Sequence, residues 1–131
     1  YLYLADRVSL VEGSLGLIED PAFATSRRPL VATWSFNGQE FSTINVHFTS
    51  RLGSDPLWGD AQPPANGGDA SRTAQAAAVG AYVFNILSAD ASKQFVLLGD
   101  WNGFAFETAQ TQLTSGGVFT NLADLLPEEE R

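Results

Sequence analysis

The sequence predicts an α/β protein, and three observations lead to that class. Residues 30–36 and 41–48 are rich in β-branched and aromatic side chains and are joined through Asn37-Gly38, which is typical of a β-hairpin. Residues 71–88 carry apolar side chains at helical spacing. The run Phe95-Val96-Leu97-Leu98 then predicts a buried strand, which Gly99 ends. A hairpin, a helix and a strand in this order fit a sheet with helices packed on it.

Two helices are predicted. The first, over residues 71–88, has Asp69 or Ser71 as its candidate N-cap, because both side chains accept hydrogen bonds from free backbone N–H groups. Its apolar stripe consists of Ala76, Val79, Val83, Ile86 and Leu87. A shorter helix over residues 107–113 is ended by Gly116-Gly117.

The rest of the chain is predicted to form strand segments, loops and turns. Residues 1–5 and 8–11 are predicted to be strand segments. Residues 52–70 are rich in Gly, Pro and Asp, and a loop this long in a compact domain is usually functional or mobile. A last turn over residues 122–126 ends at Pro127, which cannot continue a helix.

Length and composition indicate a folded protein. At 131 residues the chain is one domain or part of one, with 44% hydrophobic and 17% charged residues. It contains no apolar run of about eighteen residues, the length that a membrane span requires. Cysteine is absent, which excludes disulfides and thiolate metal sites. The sequence starts with Tyr1, inside an apolar segment, which favours a piece of a longer protein.

The charge balance is acidic. Fifteen acidic residues against seven basic ones give a net charge of −8. The overall field therefore repels nucleic acid, and a nucleic-acid function would need metal ions or well-placed arginines.

Polar side chains follow two predicted strands at the points where the strands end. Asp100 and Asn102 come after the last predicted strand, and His47 closes the second strand of the hairpin. His47 is the only histidine in the chain, and strand alternation places it on one face with Thr43 and Asn45. Functional groups often lie at such strand ends in α/β proteins, because the sheet fixes the chain up to that point. Asp100, Asn102 and His47 are therefore the candidate catalytic residues.

Three segments resemble one known family in their order and spacing. They are Arg27-Arg28-Pro29-Leu30, Asn45-Val46-His47-Phe48-Thr49-Ser50-Arg51 and Leu98-Gly99-Asp100-Trp101-Asn102. Together they resemble the endonuclease/exonuclease/phosphatase superfamily, which has the deoxyribonuclease I-like fold. A further set resembles its bacterial extracellular nuclease branch: Asp55-Pro56-Leu57-Trp58-Gly59 through Gln62-Pro63-Pro64, followed by Arg72 and Gln75. The resemblance covers nearly the whole chain and implies part of a two-sheet α/β sandwich.

The chain also departs from this family. Members carry a metal-binding Glu in their first half and an Asp-His pair near the C-terminus. Here no Glu in a matching context precedes the first strands, and no histidine follows His47. Family domains are also much longer. The resemblance therefore predicts that residues 1–131 form the middle and later part of a single domain, incomplete in this chain. The isolated chain is expected to be inactive.

The resemblance implies a metal-dependent phosphodiesterase, in the first instance a nuclease, with a role for each candidate residue. Asp100 orients or deprotonates the attacking water and contacts the metal, and Asn102 donates a hydrogen bond to a non-bridging phosphate oxygen. His47 contacts the phosphate or assists departure of the leaving oxygen. Arg27 and Arg51 bind the phosphate of the substrate.

The same resemblance implies a cofactor, a partner and a location. The ion is Mg²⁺, a hard cation that prefers carboxylate and phosphate oxygens, with Mn²⁺ and Ca²⁺ as alternatives. The partner is nucleic acid or another phosphodiester, with no membrane involved. The location is extracellular or periplasmic.

Alternatives stay open on the sequence. A phosphatase of the same fold would act on small phosphoesters, and a non-catalytic module would serve binding or assembly. The loop aromatics, which are Trp58, Trp101, Phe104 and Phe106, can stack on bases or pack in the core. A partial domain leaves a sheet edge and a sheet face without partners, so we expect self-association or pairing with the missing part of the domain.

Overall fold

A computed structural model describes residues 1–130 as one five-stranded sheet with two helices packed on it. The strands are β1 (Ser9–Leu10), β2 (Gly16–Leu17), β3 (Leu30–Phe36), β4 (Gln39–His47) and β5 (Phe95–Asp100). The helices are α1 (Asp69–Ala89) and α2 (Thr108–Thr114), and short 3₁₀ turns span Pro21–Phe23, Leu122–Leu125 and Glu128–Glu130. The α/β class predicted from the sequence is confirmed.

β4 lies between β3 and β5 in the sheet. It pairs with β3 as the predicted antiparallel hairpin, and Asn37 and Gly38 have φ angles of 49° and 77°, the left-handed conformation that a two-residue turn of this kind uses. On its other side β4 pairs with β5 in parallel. Parallel strands need a long connection, and here α1 lies within it.

One face of the sheet and both helices enclose the core. Ile44, Val46 and Phe48 alternate along β4 and its end, and all three are buried against the helices. The helices contribute Ala76, Val79 and Val83 from α1, and Ala109 and Leu113 from α2. Strand alternation therefore turns Thr43, Asn45 and His47 toward the other face, away from the helices.

The opposite face of the sheet, here called the open face, is only partly covered. The rings of Tyr1 and Tyr3 lie edge-on against Trp34, with centroid distances of 5.5 and 4.7 Å. Val96 and Leu98 on β5 have no such cover and are 43% and 37% exposed. This corrects the prediction of a fully buried strand. Its alternate residues are exposed because, among residues 1–130, no element covers that part of the open face or pairs with the outer edge of β5.

Three smaller predictions need correction. Residues 1–5 form no strand, because the N–H groups of Arg7 and Val8 both donate to the carbonyl of Leu4 and turn the chain there. The segment 8–11 shortens to β1. Neither predicted side chain caps α1, since its N-cap is Gly68 with a φ of 73° and no side-chain cap. Within residues 1–130, neither helix has the length and hydropathy needed to cross a membrane.

Candidate active site

His47 and Asp100 are direct partners at the ends of β4 and β5. The strands are parallel, so their C-terminal ends meet at one edge of the sheet, and both side chains lie on the open face. His47 Nε2 is 3.7 Å from Asp100 Oδ2, and the two side chains are 42% and 60% exposed. The sequence placed both residues at strand ends, and the structure brings the two together.

Gly99 makes the close approach of the two strand ends possible. Its φ is 130°, a conformation that residues with a side chain rarely adopt. A Cβ at this position would overlap the carbonyl group of Val46 on β4. Backbone geometry therefore explains why a glycine precedes Asp100, independently of any chemistry at the carboxylate.

Asn102 joins the two strand ends through its own hydrogen bonds. Its backbone N–H donates to Asp100 Oδ1 at 2.9 Å, and its side-chain Nδ2 donates to the carbonyl of Phe48 at 2.9 Å. Its φ of 48° is left-handed, a conformation that Asn tolerates better than most residues. Asn102 is thus held beside Asp100, with one amide hydrogen already engaged.

The two candidate phosphate-binding arginines are placed differently. Arg27 is exposed in the loop before β3 and makes no side-chain hydrogen bond or ion pair with any residue that the structure describes. Arg51 is 23% exposed and forms an ion pair with Glu107. Its guanidinium also lies 4.8 Å from the ring centroid of Phe104. The structure shows neither arginine in contact with His47 or Asp100.

Arg51 belongs to a charged cluster formed by Arg51, Arg72, Glu107 and Asp69, in which Arg72 and Glu107 are buried. Arg72 has a fully buried side chain, and its Nη2 lies 3.4 Å from Glu107 Oε2 and 4.0 Å from Asp69 Oδ1. Glu107 accepts from Arg51 with its other carboxylate oxygen and is 6% exposed. The two buried members carry opposite charges, so the charge of Arg72 is compensated by Glu107, as a buried charge requires.

Arg72 also holds the loops around the site. Its Nη1 donates to the carbonyls of Gly67, Ser50 and Thr49 at 2.7, 3.3 and 3.4 Å, and its Nη2 donates to Asn66 Oδ1 at 2.6 Å. These contacts join the chain after β4 to the end of the long loop. Through Glu107 they also reach the loop after β5.

Gln75 supports the same region from α1. Its side chain is 1% exposed, accepts a hydrogen bond from the Thr49 N–H at 2.9 Å and donates to the carbonyl of Ala22 at 3.2 Å. Apart from the family resemblance, nothing in the sequence points to a role for Arg72 or Gln75. Their partners are backbone groups and a glutamate far along the chain, so no local pattern could have identified them.

The residues present do not make a complete metal site. Among residues 1–130, no group of three or more His, Asp or Glu side chains could hold a metal ion. Asp100 offers one exposed carboxylate, whereas the two carboxylate oxygens of Glu107 are already paired with Arg51 and Arg72. No step of the chemistry is therefore assigned to a metal bound by this chain alone.

The sequence matches no family model, and no curated protein is significantly similar to it. The catalytic domain of human Nocturnin, solved with a bound sulfate anion, is similar in structure, with a TM-score of 0.70 and 18% sequence identity over 98% of this chain. The chain spans 43% of the length of that domain. TDP2 from D. rerio, solved in complex with a single-strand DNA product, gives a TM-score of 0.47 at 20% identity, over 82% of this chain and 35% of its own. The likeness to Nocturnin shows that the chain folds as part of a deoxyribonuclease I-like α/β sandwich.

Proposed function

We propose that this chain carries part of the active site of a metal-dependent phosphodiester hydrolase, with a nuclease as the first candidate. One observation carries the proposal: His47 and Asp100 meet at the C-terminal ends of neighbouring parallel strands, on the open face of the sheet. The Nocturnin catalytic domain, which is similar in structure, was solved with a bound sulfate, an anion with the tetrahedral shape and the negative charge of a phosphate group.

In the proposed reaction a water attacks phosphorus in line with the leaving oxygen. Asp100 Oδ1 already accepts from the N–H of Asn102, so Oδ2, which faces His47, is the oxygen that accepts the proton of the water. His47 lies beside it and donates to a phosphate oxygen or to the leaving oxygen, chemistry that suits imidazole near neutral pH. The second amide hydrogen of Asn102 donates to a non-bridging oxygen.

Of the two arginines, Arg27 has its guanidinium available for a phosphate. Arg51 already pairs with Glu107, so it would have to share its charge between that carboxylate and the substrate. The phosphate-binding role of both residues stays a prediction. A location outside the cytoplasm and membership of the bacterial extracellular branch also stay predictions.

The proposal includes a divalent ion, Mg²⁺ by the resemblance, to which Asp100 contributes one carboxylate. The remaining ligands would come from polypeptide outside this chain. The cheapest discriminating observation is the sequence that flanks Tyr1 and Arg131 in the parent protein. A Glu in an upstream strand and a downstream Asp-His pair favour the hydrolase, whereas their absence favours a non-catalytic module.

We expect the isolated 131-residue chain to cleave neither plasmid DNA nor bis(p-nitrophenyl) phosphate, whereas the intact parent cleaves both with Mg²⁺. The reason is that catalytic residues that act as a unit lose several orders of magnitude in rate when members are missing. The measurement is initial rate with Mg²⁺ and with chelator, for the chain and for the parent. Chelator-sensitive cleavage by the purified chain would show that its residues suffice. No cleavage by the parent would contradict the proposed function.

We also expect the purified 131-residue chain to self-associate. Val96 and Leu98 are exposed on the open face, and the outer edge of β5 has no strand partner among residues 1–130. A groove of about 970 Å³ also lies between β5, α2 and residues 118–124, and Phe106 is one of the residues that line it. Such edges and apolar surfaces drive pairing with another chain. Light scattering measures the mass.

A charged side chain on the open face tests that explanation. Leu98→Lys should reduce the apparent mass toward that of a monomer, while Leu52→Lys, at a 90% exposed loop position, should leave it unchanged. A wild-type chain that is monodisperse, monomeric and cooperatively unfolding would contradict the proposal that the chain belongs to a larger domain.

A further inference from the structure

Two phenylalanine rings and a guanidinium form a stack in the loop after β5. The rings of Phe104 and Phe106 are nearly parallel, at 9° and a centroid distance of 5.3 Å, and the Arg51 guanidinium lies 4.8 Å from the Phe104 centroid. Phe104 is 42% exposed and Phe106 is 69% exposed. We refer to Arg51, Phe104 and Phe106 as the aromatic stack.

The loop that carries the stack is anchored at both ends. At one end Asn102 is hydrogen-bonded to Asp100 and to Phe48. At the other end Glu107 is buried and paired with Arg51 and Arg72. The two rings are therefore exposed although the backbone on either side of them is fixed. A ligand that meets a prearranged surface loses less conformational entropy on binding.

The stack lies close to the proposed catalytic residues along the chain. Two residues span at most about 7 Å, so the Cα of Phe104 lies within that distance of the Cα of Asn102. The loop that carries the rings therefore begins beside the proposed catalytic residues, directly after Asp100 and Asn102.

The charge of the chain restricts how a nucleic acid can be held there. With a net charge of −8, general attraction to phosphates is unfavourable. Stacking of bases on aromatic rings depends on contact rather than on net charge, and every base has a flat face to offer. Bases inside a duplex are already stacked on one another, so the surface suits bases that are unpaired.

We propose that the aromatic stack binds an unpaired nucleobase next to the scissile phosphate, which makes single-stranded nucleic acid the preferred substrate class. This inference rests on the proposed function for the position of the phosphate. The stacking surface itself can be tested without catalysis. Phe106 is the residue to test first, because it is the most exposed member of the stack.

The test is binding of a short fluorescein-labelled oligothymidylate by the intact protein, measured by anisotropy in the presence of chelator. Phe106→Ala should weaken binding about 5- to 150-fold, the range that base stacking on one aromatic ring contributes. Phe106→Tyr keeps the ring and should bind as wild type does. The matched control is Phe84→Ala, because Phe84 is 63% exposed on α1 and outside the stack, and this variant should also bind as wild type does.

Two further probes show what the stack recognises. An abasic oligonucleotide of the same length should bind weakly to wild type and should not distinguish Phe106→Ala from it. A duplex should bind more weakly than the single strand. Equal binding of wild type and Phe106→Ala to oligothymidylate would overturn the inference. The inference would also be overturned if Phe106→Ala changed the apparent mass in light scattering but not the binding of oligothymidylate. Phe106 would then contact another protein chain rather than a nucleobase.

Hydrolysis of bis(p-nitrophenyl) phosphate by the intact protein separates this inference from the proposed function. If the protein hydrolyses this substrate but Phe106→Ala does not change oligonucleotide binding, the base-stacking inference is refuted and the proposed function stands. Binding that depends on Phe106 in a protein that hydrolyses no phosphodiester refutes the function and leaves the stack standing.

Discussion

Replacing Arg72 with alanine is expected to lower the free energy of unfolding by about 3–5 kcal/mol, the usual cost of removing one partner from a buried ion pair. The side chain is fully buried and donates to three backbone carbonyls and to Asn66. Its removal would also leave Glu107 with Arg51 as its only cation. The measurement is the urea unfolding midpoint of the purified protein.

Two other arginine variants make this prediction specific. Arg28→Ala removes an exposed ion pair with Glu19 and should barely move the midpoint, because exposed pairs are weakened by water and salt. Arg72→Lys keeps the charge but loses the two-nitrogen fork that serves several acceptors at once, so its midpoint should lie between those of wild type and Arg72→Ala. An Arg72→Ala midpoint equal to that of Arg28→Ala would show that the buried pair of Arg72 and Glu107 contributes little to stability.

The hairpin and the main helix were predictable because their signals are local. Asn37-Gly38 specifies a tight turn through two neighbouring residues, and the α1 stripe repeats within the helix itself. The exposure of Val96 and Leu98 was not predictable, because burial of a strand depends on what packs against it. An apolar run is the same in the sequence whether or not a covering layer is present in the structure.

The candidate site could also be predicted only in part from the sequence. His47 and Asp100 could be predicted from the ends of two strands, and the parallel pairing of β4 with β5 places them opposite each other. Their chemical roles stay predictions. The pairing of Arg51 with Glu107 was not foreseen, because the partners are 56 residues apart and each is an ordinary surface residue type in the sequence.

Asp100→Asn in the intact parent is expected to lower the turnover of a phosphodiester on the order of 10²- to 10⁴-fold, the usual contribution of a general base. Asparagine keeps the size of the side chain and one oxygen that can accept from the N–H of Asn102, so the turn after β5 should survive. Unfolding in urea should therefore change little. The measurement pairs the rate on bis(p-nitrophenyl) phosphate with the unfolding midpoint.

Asp90 provides the matched control for this substitution. Its Oδ1 accepts from the N–H of Ser92, two residues on, as Asp100 Oδ1 accepts from Asn102, and both carboxylates are exposed. Hydrogen bonds from the Ser92 side chain and N–H lower the pKa of Asp90, so it is ionised at neutral pH. Asp90→Asn removes the same charge from the same kind of turn, away from His47, and should leave turnover unchanged. If both variants lost activity equally, general charge or turn stability would explain the loss. If Asp100→Asn kept full turnover, Asp100 would have no part in the chemistry, and its contact with His47 would be structural only.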